Sequence, residues 1–343
     1  MNPTEYLPMR AKTILNAVNA PSMPFDWSIN PYRGCQHGCS FCYARSTHAF
    51  LGEAADDTFQ HRIFYKDDAP AILRGQLQRM RSRGKLPSHV AIGTATDPYQ
   101  QVEAKAKLTR GCLETLAEFG VGVSITTRSP LVLRDLDLLR ALPGASVNIS
   151  LHTLDTRIWR TFEPSTPSPA RRLECARTLA DAGTRVHAFM APILPHLTDG
   201  EEETEALVRA IADAGVRHMM SSFMRLSTPE VKSWFFSVLR ASYPELAEKY
   251  GKLYWHSPRL PDSYRRPVYA RIAAQMKRYG LSEIGMEQVP KGDAAYAPAA
   301  APGGAYADSP LRSPGDFPAP GSNPSLLAPE QAAPCQPVQL SLF

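Results

Sequence analysis

The stretch NPYRGCQHGCSFCYAR, residues 30–45, decides how the rest of the chain is read. It sets three of the six cysteines, Cys35, Cys39 and Cys42, into eight positions as C-x3-C-x2-C, among two glycines, two tyrosines and two arginines. A loop of this kind can wrap three irons of a cubane cluster with thiolates. The fourth iron then lacks a protein ligand, and an open position marks a catalytic rather than a purely structural metal centre. Zinc is the competing reading. It wants four ligands, and His37 is a possible fourth, but its place between Cys35 and Cys39 does not make the usual paired C-x2-C arrangement. Three buried thiols without a metal are a further alternative. Gly34 and Gly38 are expected to let the loop backbone approach the metal, with Phe41 and Tyr43 shielding it from water.

Outward from this loop, six β-rich apolar runs alternate with helical patterns from Phe25 to about Phe223: FDWSINPYR, HVAIGTA (89–95), VGVSITT (121–127), ASVNISLH (145–152), TRVHAFMAP (184–192) and VRHMMSSF (216–223). Parallel βα units read this way when strands are covered on both faces. LTRGCLETLAEF, LVLRDLDLLRAL, ARRLECARTLADAG and EEETEALVRAIADAG carry apolar residues at helical spacing, and two of them end in the Ala-Gly expected near a helix C-cap. The expected fold is therefore α/β, an incomplete (β/α)6 TIM-like barrel. Six units are fewer than the eight of a closed barrel, and the active site is expected at the C-terminal ends of the strands. The cysteine loop directly follows the first strand.

The expected divisions are an N-terminal extension over 1–24, the barrel over 25–228, a helical region over 229–290 and a linker over 291–343. The linker is rich in Pro, Ala, Gly and Ser and is read as disordered. At 343 residues and 43% hydrophobic content, the chain can bury a large core. No segment approaches the apolar length needed to span a bilayer, so no membrane partner is expected and the cytoplasm is the expected location. Clustered cysteines in a chain this long point to free thiols in a reducing environment. Cys112 and Cys175, among leucines and alanines, read as small buried hydrophobes.

The net charge of +5 is compatible with a polyanionic partner if basic residues gather on one face. Two runs offer such a face: Arg74, Arg79, Arg81, Arg83 and Lys85, and the helix carrying Arg265, Arg266, Arg271, Lys277 and Arg278. The bland reading of each is a solvated helix face.

C-x3-C-x2-C with an aromatic beside the last cysteine, after the first strand, resembles the signature of radical SAM enzymes. NPYRGCQHGCSFCYAR, IGTATDPYQ, SITTRSPLVLRD, VNISLHTLD and FEPSTPSPARRL, in that order, resemble the spore photoproduct lyase-like branch over roughly residues 25–225. The resemblance implies a radical SAM type of barrel and a reduced 4Fe-4S cluster that cleaves S-adenosyl-L-methionine to a 5′-deoxyadenosyl radical, which abstracts hydrogen from a substrate. It implies Cys35, Cys39 and Cys42 as cluster ligands. Thr96 and Asp97 then receive the methionine ammonium, Arg128 pairs with its carboxylate, and Ser150 meets the ribose. An electron donor such as a flavodoxin or ferredoxin is implied too.

Two departures bear on the reaction. The lyases have a cysteine hydrogen donor where this chain has Thr94, and a threonine hydroxyl cannot donate a hydrogen atom as a thiol does. They also carry paired tyrosines around the third cluster cysteine, where this chain has Phe41 and Tyr43. Tyr43 is therefore the candidate hydrogen relay.

The final QLSLF resembles the short peptide by which bacterial DNA repair and replication proteins dock on the sliding clamp. Gln339 would be its polar residue, with Leu340, Leu342 and Phe343 as pocket anchors. This resemblance turns the expected substrate toward DNA and lesion repair, since a damaged base is easier to extrude into a barrel mouth than an intact one; the alternatives are the same chemistry on RNA, protein or a metabolite, and a non-catalytic iron-sulfur adaptor that binds the clamp or DNA.

Overall fold

The apolar runs fold as six parallel strands side by side in chain order: β1 Trp27–Ile29, β2 His89–Ile92, β3 Gly122–Thr127, β4 Ser146–Ser150, β5 Arg185–Ile193 and β6 His218–Phe223. These elements belong to a computed structural model that describes residues 3–19 and 23–284. One apolar row crosses five strands in register, Ile29 beside Ile92, then Ile125, Val147 and Val186, all buried. Branched side chains pack well on a pleated surface, so this row fixes which residues leave the sheet at its C-terminal edge.

Parallel pairing requires a crossover for each strand, and helices supply it. Ala69–Ser82, Leu108–Phe119, Pro169–Asp181 and Glu201–Asp213 are the longest. Their starts are written locally: Ser168 accepts from the backbone N–H of Arg171 with Pro169 at the first helical position, and Glu201, Glu202 and Glu203 fill the first turn of the last helix. Cys112 and Cys175 sit buried inside two of these helices as free thiols.

The sheet does not close on itself. Leu15–Ala17 adds an antiparallel strand beside β1 and Ser282–Glu283 adds a parallel one beside β6, giving an open barrel sheet of eight strands. The N-terminal extension thus contributes to the barrel rather than standing apart. Its Glu5–Pro8 pairs with Arg62–Tyr65 in a second, three-stranded sheet completed by Tyr32–Arg33. The run FDWSINPYR is accordingly two strands in two sheets. Pro31, which has no N–H to give a ladder, separates them.

Helices Pro229–Ser242, Ala247–Leu253 and Asp262–Arg278 follow the barrel and share its apolar core. Phe162 of the barrel stacks on Phe235 and Tyr243 with centroids 5.6 and 5.9 Å apart, and the Tyr250 hydroxyl donates to the Pro195 carbonyl at 2.6 Å. No helix among the described residues is long and apolar enough to cross a membrane.

The two basic runs are largely exposed, and several of their arginines have partners. Arg74 pairs with Glu118, Arg81 stacks on Phe119 at 4.8 Å, Arg278 pairs with Glu205 at 2.6 Å, and Arg265 and Arg266 both face Asp262. Glu118 and Glu205 come from neighbouring helices and Asp262 from just before the run, so local charge counting missed them. The linker and QLSLF, with Gln339, Leu340, Leu342 and Phe343, lie outside the described residues.

Candidate active site

The cysteine loop leaves β1 and folds against the Arg62–Tyr65 strand. Gly34 takes a left-handed φ of 76°, and a Cβ there would stand 2.6 Å from the Arg62 carbonyl oxygen. His48 Nε2 and the Phe59 carbonyl would be met at 2.9 and 3.0 Å, so packing of the loop on its neighbours by itself demands a glycine. The Cys35 N–H then donates to the Phe59 carbonyl at 3.0 Å, Gly38 N–H to Cys35 at 3.2 Å and Cys42 N–H to Cys39 at 3.3 Å. These turns carry the three thiols, all free; Cys35 and Cys39 are buried and Cys42 half-buried.

The loop after β2 braces the cysteine loop. Thr96 Oγ1 donates to the Gly34 carbonyl at 2.7 Å and accepts from Gln100 Nε2 at 3.0 Å, while Gln100 Oε1 accepts from the Gln36 N–H at 3.0 Å. Asp97 Oδ1 accepts from the Tyr99 N–H at 2.9 Å and from Thr127 Oγ1 at 2.6 Å; Oδ2 accepts from the Arg128 N–H at 2.7 Å and lies 3.2 Å from His37 Nδ1. Burial opposes its charge, yet His37, Thr127 and the Arg128 N–H lower the Asp97 pKa to about 2. Thr96 and Asp97, expected to receive an ammonium group, therefore already hold protein partners at their side-chain oxygens. They tie three strand ends together. His37 reaches Asp97 through Nδ1.

Arg128 leaves the end of β3, and its Nε donates to Glu163 Oε1 at 2.7 Å. Nη1 and Nη2 donate to no protein atom among the described residues. Phe41 packs beside the guanidinium, 5.9 Å from ring centroid to Cζ. Glu163 is almost wholly buried, and it also takes Arg172 on Oε2, with His152 Nδ1 3.4 Å away and Cys39 Sγ 4.0 Å from Oε1. Burial opposes ionisation of Glu163, but Arg172, His152 and Arg128 hold its pKa well below the usual carboxylate value. Sequence reading quoted FEPSTPSPARRL yet assigned nothing to Glu163 or Arg172. A buried acid between two arginines is visible only when β3 and the segment after β4 meet. Ser150 ends β4 close by, its carbonyl accepting from Arg172 Nη1 at 3.1 Å.

Tyr43 begins the turn after the third cysteine. The residue is 55% exposed, but its hydroxyl donates to the Thr94 carbonyl, and desolvation of the hydroxyl together with Cys42 pushes its pKa up to about 12. Thr94 Oγ1 accepts from Asn30 Nδ2 at 2.8 Å. The candidate relay and the residue standing in the lyase cysteine position are thus in direct contact.

The donors fit a cubane cluster. Burial pushes the Cys35 thiol up to about 12 and Cys39 well above its ordinary value, so thiolates here need a positively charged centre beside them. Among the described residues no three His, Cys, Asp or Glu side chains gather about one ion. A cubane has no such requirement, because each thiolate takes a different iron.

Comparison with known proteins agrees with this geometry. The Radical SAM superfamily model matches residues 29–217. An uncharacterized protein of Mycobacterium tuberculosis is 36% identical over 292 residues, covering 84% of each chain. An uncharacterized protein of Methanocaldococcus jannaschii is 28% identical over 197 residues, 57% of this chain and 71% of the relative. Among solved structures, a mutant spore photoproduct lyase with bound AdoMet and dinucleoside spore photoproduct superposes with a TM-score of 0.62 at 19% identity, covering 81% of each chain. With the family matched over more than half its length and a relative this similar across most of it, the chain belongs to the radical SAM superfamily and is an enzyme that works with a 4Fe-4S cluster and S-adenosylmethionine.

Proposed function

We propose that this enzyme acts on DNA, processing a damaged base at the C-terminal mouth of the barrel, by a reaction that differs from photoproduct lysis in how hydrogen is returned. Cys35, Cys39 and Cys42 hold the cluster. Arg128, fixed through Nε by Glu163, offers its two remaining nitrogens to the methionine carboxylate as a charge-assisted pair. Ser150 lies at the strand end where the ribose is placed by analogy. Thr96 and Asp97 serve by bracing the loop and setting the Arg128 backbone rather than by touching the ligand. When bound, cluster and S-adenosylmethionine supply the one-electron chemistry that begins hydrogen abstraction. The residues around them orient the ligand and exclude water.

The observation that carries the DNA reading is shape: the similar lyase, solved with a dinucleoside photoproduct, shares this fold across 81% of both chains. The departure in chemistry rests on Thr94, which has no thiol to offer, and on Tyr43, whose hydroxyl sits on its carbonyl. Tyr43 is the proposed hydrogen relay. Reduction by a flavodoxin or ferredoxin, and docking on the sliding clamp through Gln339, Leu340, Leu342 and Phe343, complete the proposal.

The test is anaerobic incubation of the reduced holoprotein with ultraviolet-irradiated and untreated DNA, followed by nucleoside mass analysis. An enzyme-dependent change confined to the irradiated arm is expected; no enzyme-dependent change in either arm would move the substrate to RNA, protein or a metabolite. Removal of residues 339–343 should abolish clamp pull-down and leave cofactor cleavage intact. Retained pull-down disposes of the docking peptide.

A further inference from the structure

Arg45 follows the third cysteine by three residues and is buried at 0% exposure. Its Nε donates to the Cys39 carbonyl at 2.9 Å, Nη2 to the Gly38 carbonyl at 2.8 Å, and Nη1 to the carbonyls of Ala55 and Asp56. Phe59 and Trp234 pack over the guanidinium at 5.2 and 4.9 Å. Every acceptor is a neutral carbonyl, and no described carboxylate forms an ion pair with Arg45. The adjacent acids are engaged elsewhere: Asp56 Oδ1 accepts from the Thr58 N–H at 2.9 Å, and Asp57, 45% exposed, lies 3.2 Å from His61.

A buried cation without an anion is unfavourable, and hydrogen bonds to carbonyls relieve only part of the cost. What lies beside Arg45 instead is the cysteine loop, since two of its nitrogens bond the Gly38 and Cys39 carbonyls. Protonated thiols carry no charge. Three thiolates on an oxidised cubane leave a net negative charge, and each added electron increases it.

We infer that Arg45 is a positioning residue for the cluster: it braces the Gly38–Cys39 turn, and its charge is the built-in counter-charge that favours the loaded and reduced cluster. This rests on the assignment of Cys35, Cys39 and Cys42 as ligands. A carbonyl brace needs only donors, whereas a counter-charge must be positive, and two substitutions separate these. Arg45→Gln removes the charge and keeps an amide donor. Arg45→Lys keeps the charge and loses the planar fork.

The experiment is a redox titration of the full-length, anaerobically reconstituted protein, following the reduced cluster by electron paramagnetic resonance. In Arg45→Gln the ratio of reduced to oxidised cluster at fixed solution potential should fall at least tenfold, a downward shift of about 59 mV for one electron. Arg45→Lys should restore most of the difference. A second measurement serves if Arg45→Gln retains too little cluster to titrate: unfolding of apoprotein and reconstituted protein, each against wild type. Loss of stability confined to the reconstituted form supports the counter-charge, since the apoprotein loses no ion pair. An unchanged potential, or equal destabilisation of both forms, would reduce Arg45 to a loop brace. Failure of the wild type itself to take up iron and sulfide would refute the ligand assignment instead.

Discussion

Replacing Glu163 by glutamine tests the charge arrangement on which the Arg128 assignment depends. Glu163 is held between Arg128 Nε at 2.7 Å and Arg172, with His152 Nδ1 at 3.4 Å, and is about 1% exposed. Glutamine keeps the volume and one carbonyl acceptor, but it leaves two guanidinium groups without their shared anion and turns an N–H2 toward one of them. Removing one partner from a buried pair costs about 3–5 kcal/mol. At roughly 2–4 °C per kcal/mol for a chain somewhat smaller than this one, Tm should fall by roughly 6–20 °C. The sign of the pH dependence follows from the lowered Glu163 pKa. Its stabilisation is fully present above the unfolded value of 4.5 and is lost as pH falls through the lower folded value, so the gap between wild type and variant should narrow in acid. Denaturant and thermal unfolding of the anaerobic apoprotein, at neutral pH and below the unfolded value, measure both effects. A shift under ~2 °C at neutral pH, less than 1 kcal/mol on the same scale, or a gap that persists undiminished in acid, would refute the reasoning.

Three further substitutions address the ligand loop and the chemistry. Tyr43→Phe removes the hydroxyl that meets Thr94; cofactor cleavage should continue while product formation falls, and undiminished product would remove Tyr43 from the reaction. Arg128→Lys keeps a cation beside Glu163 but loses the free fork, so S-adenosylmethionine affinity measured by equilibrium binding should drop about tenfold, ~1.4 kcal/mol, and equal affinity would count against a carboxylate contact. Gly34→Ala forces a side chain into a left-handed position 2.6 Å from the Arg62 carbonyl, at a strain cost of ~1–2 kcal/mol before the clash is counted, and should lower iron content after reconstitution. Full iron content in that variant would mean the loop tolerates another path.

Short-range features of the chain determined the barrel and the ligand loop. Strand runs, helix caps and the C-x3-C-x2-C spacing are each set within a few neighbouring residues, so periodicity and ligand geometry alone place the thiols after the first of six parallel strands. Which polar groups touch which was decided only by the tertiary structure. Arg128 and Glu163 are 35 positions apart, and Thr96 acts on Gly34 across 62. Asp97, expected at a ligand from its place at a strand end, also gathers four neighbours from three segments on its oxygens. The burial of Arg45 and the partners of the basic runs were not legible, because a charge in sequence carries no record of its burial or its partner. The physical reason is common to all of these: electrostatic energy depends on distance and dielectric in three dimensions, whereas propensity and spacing act along the chain.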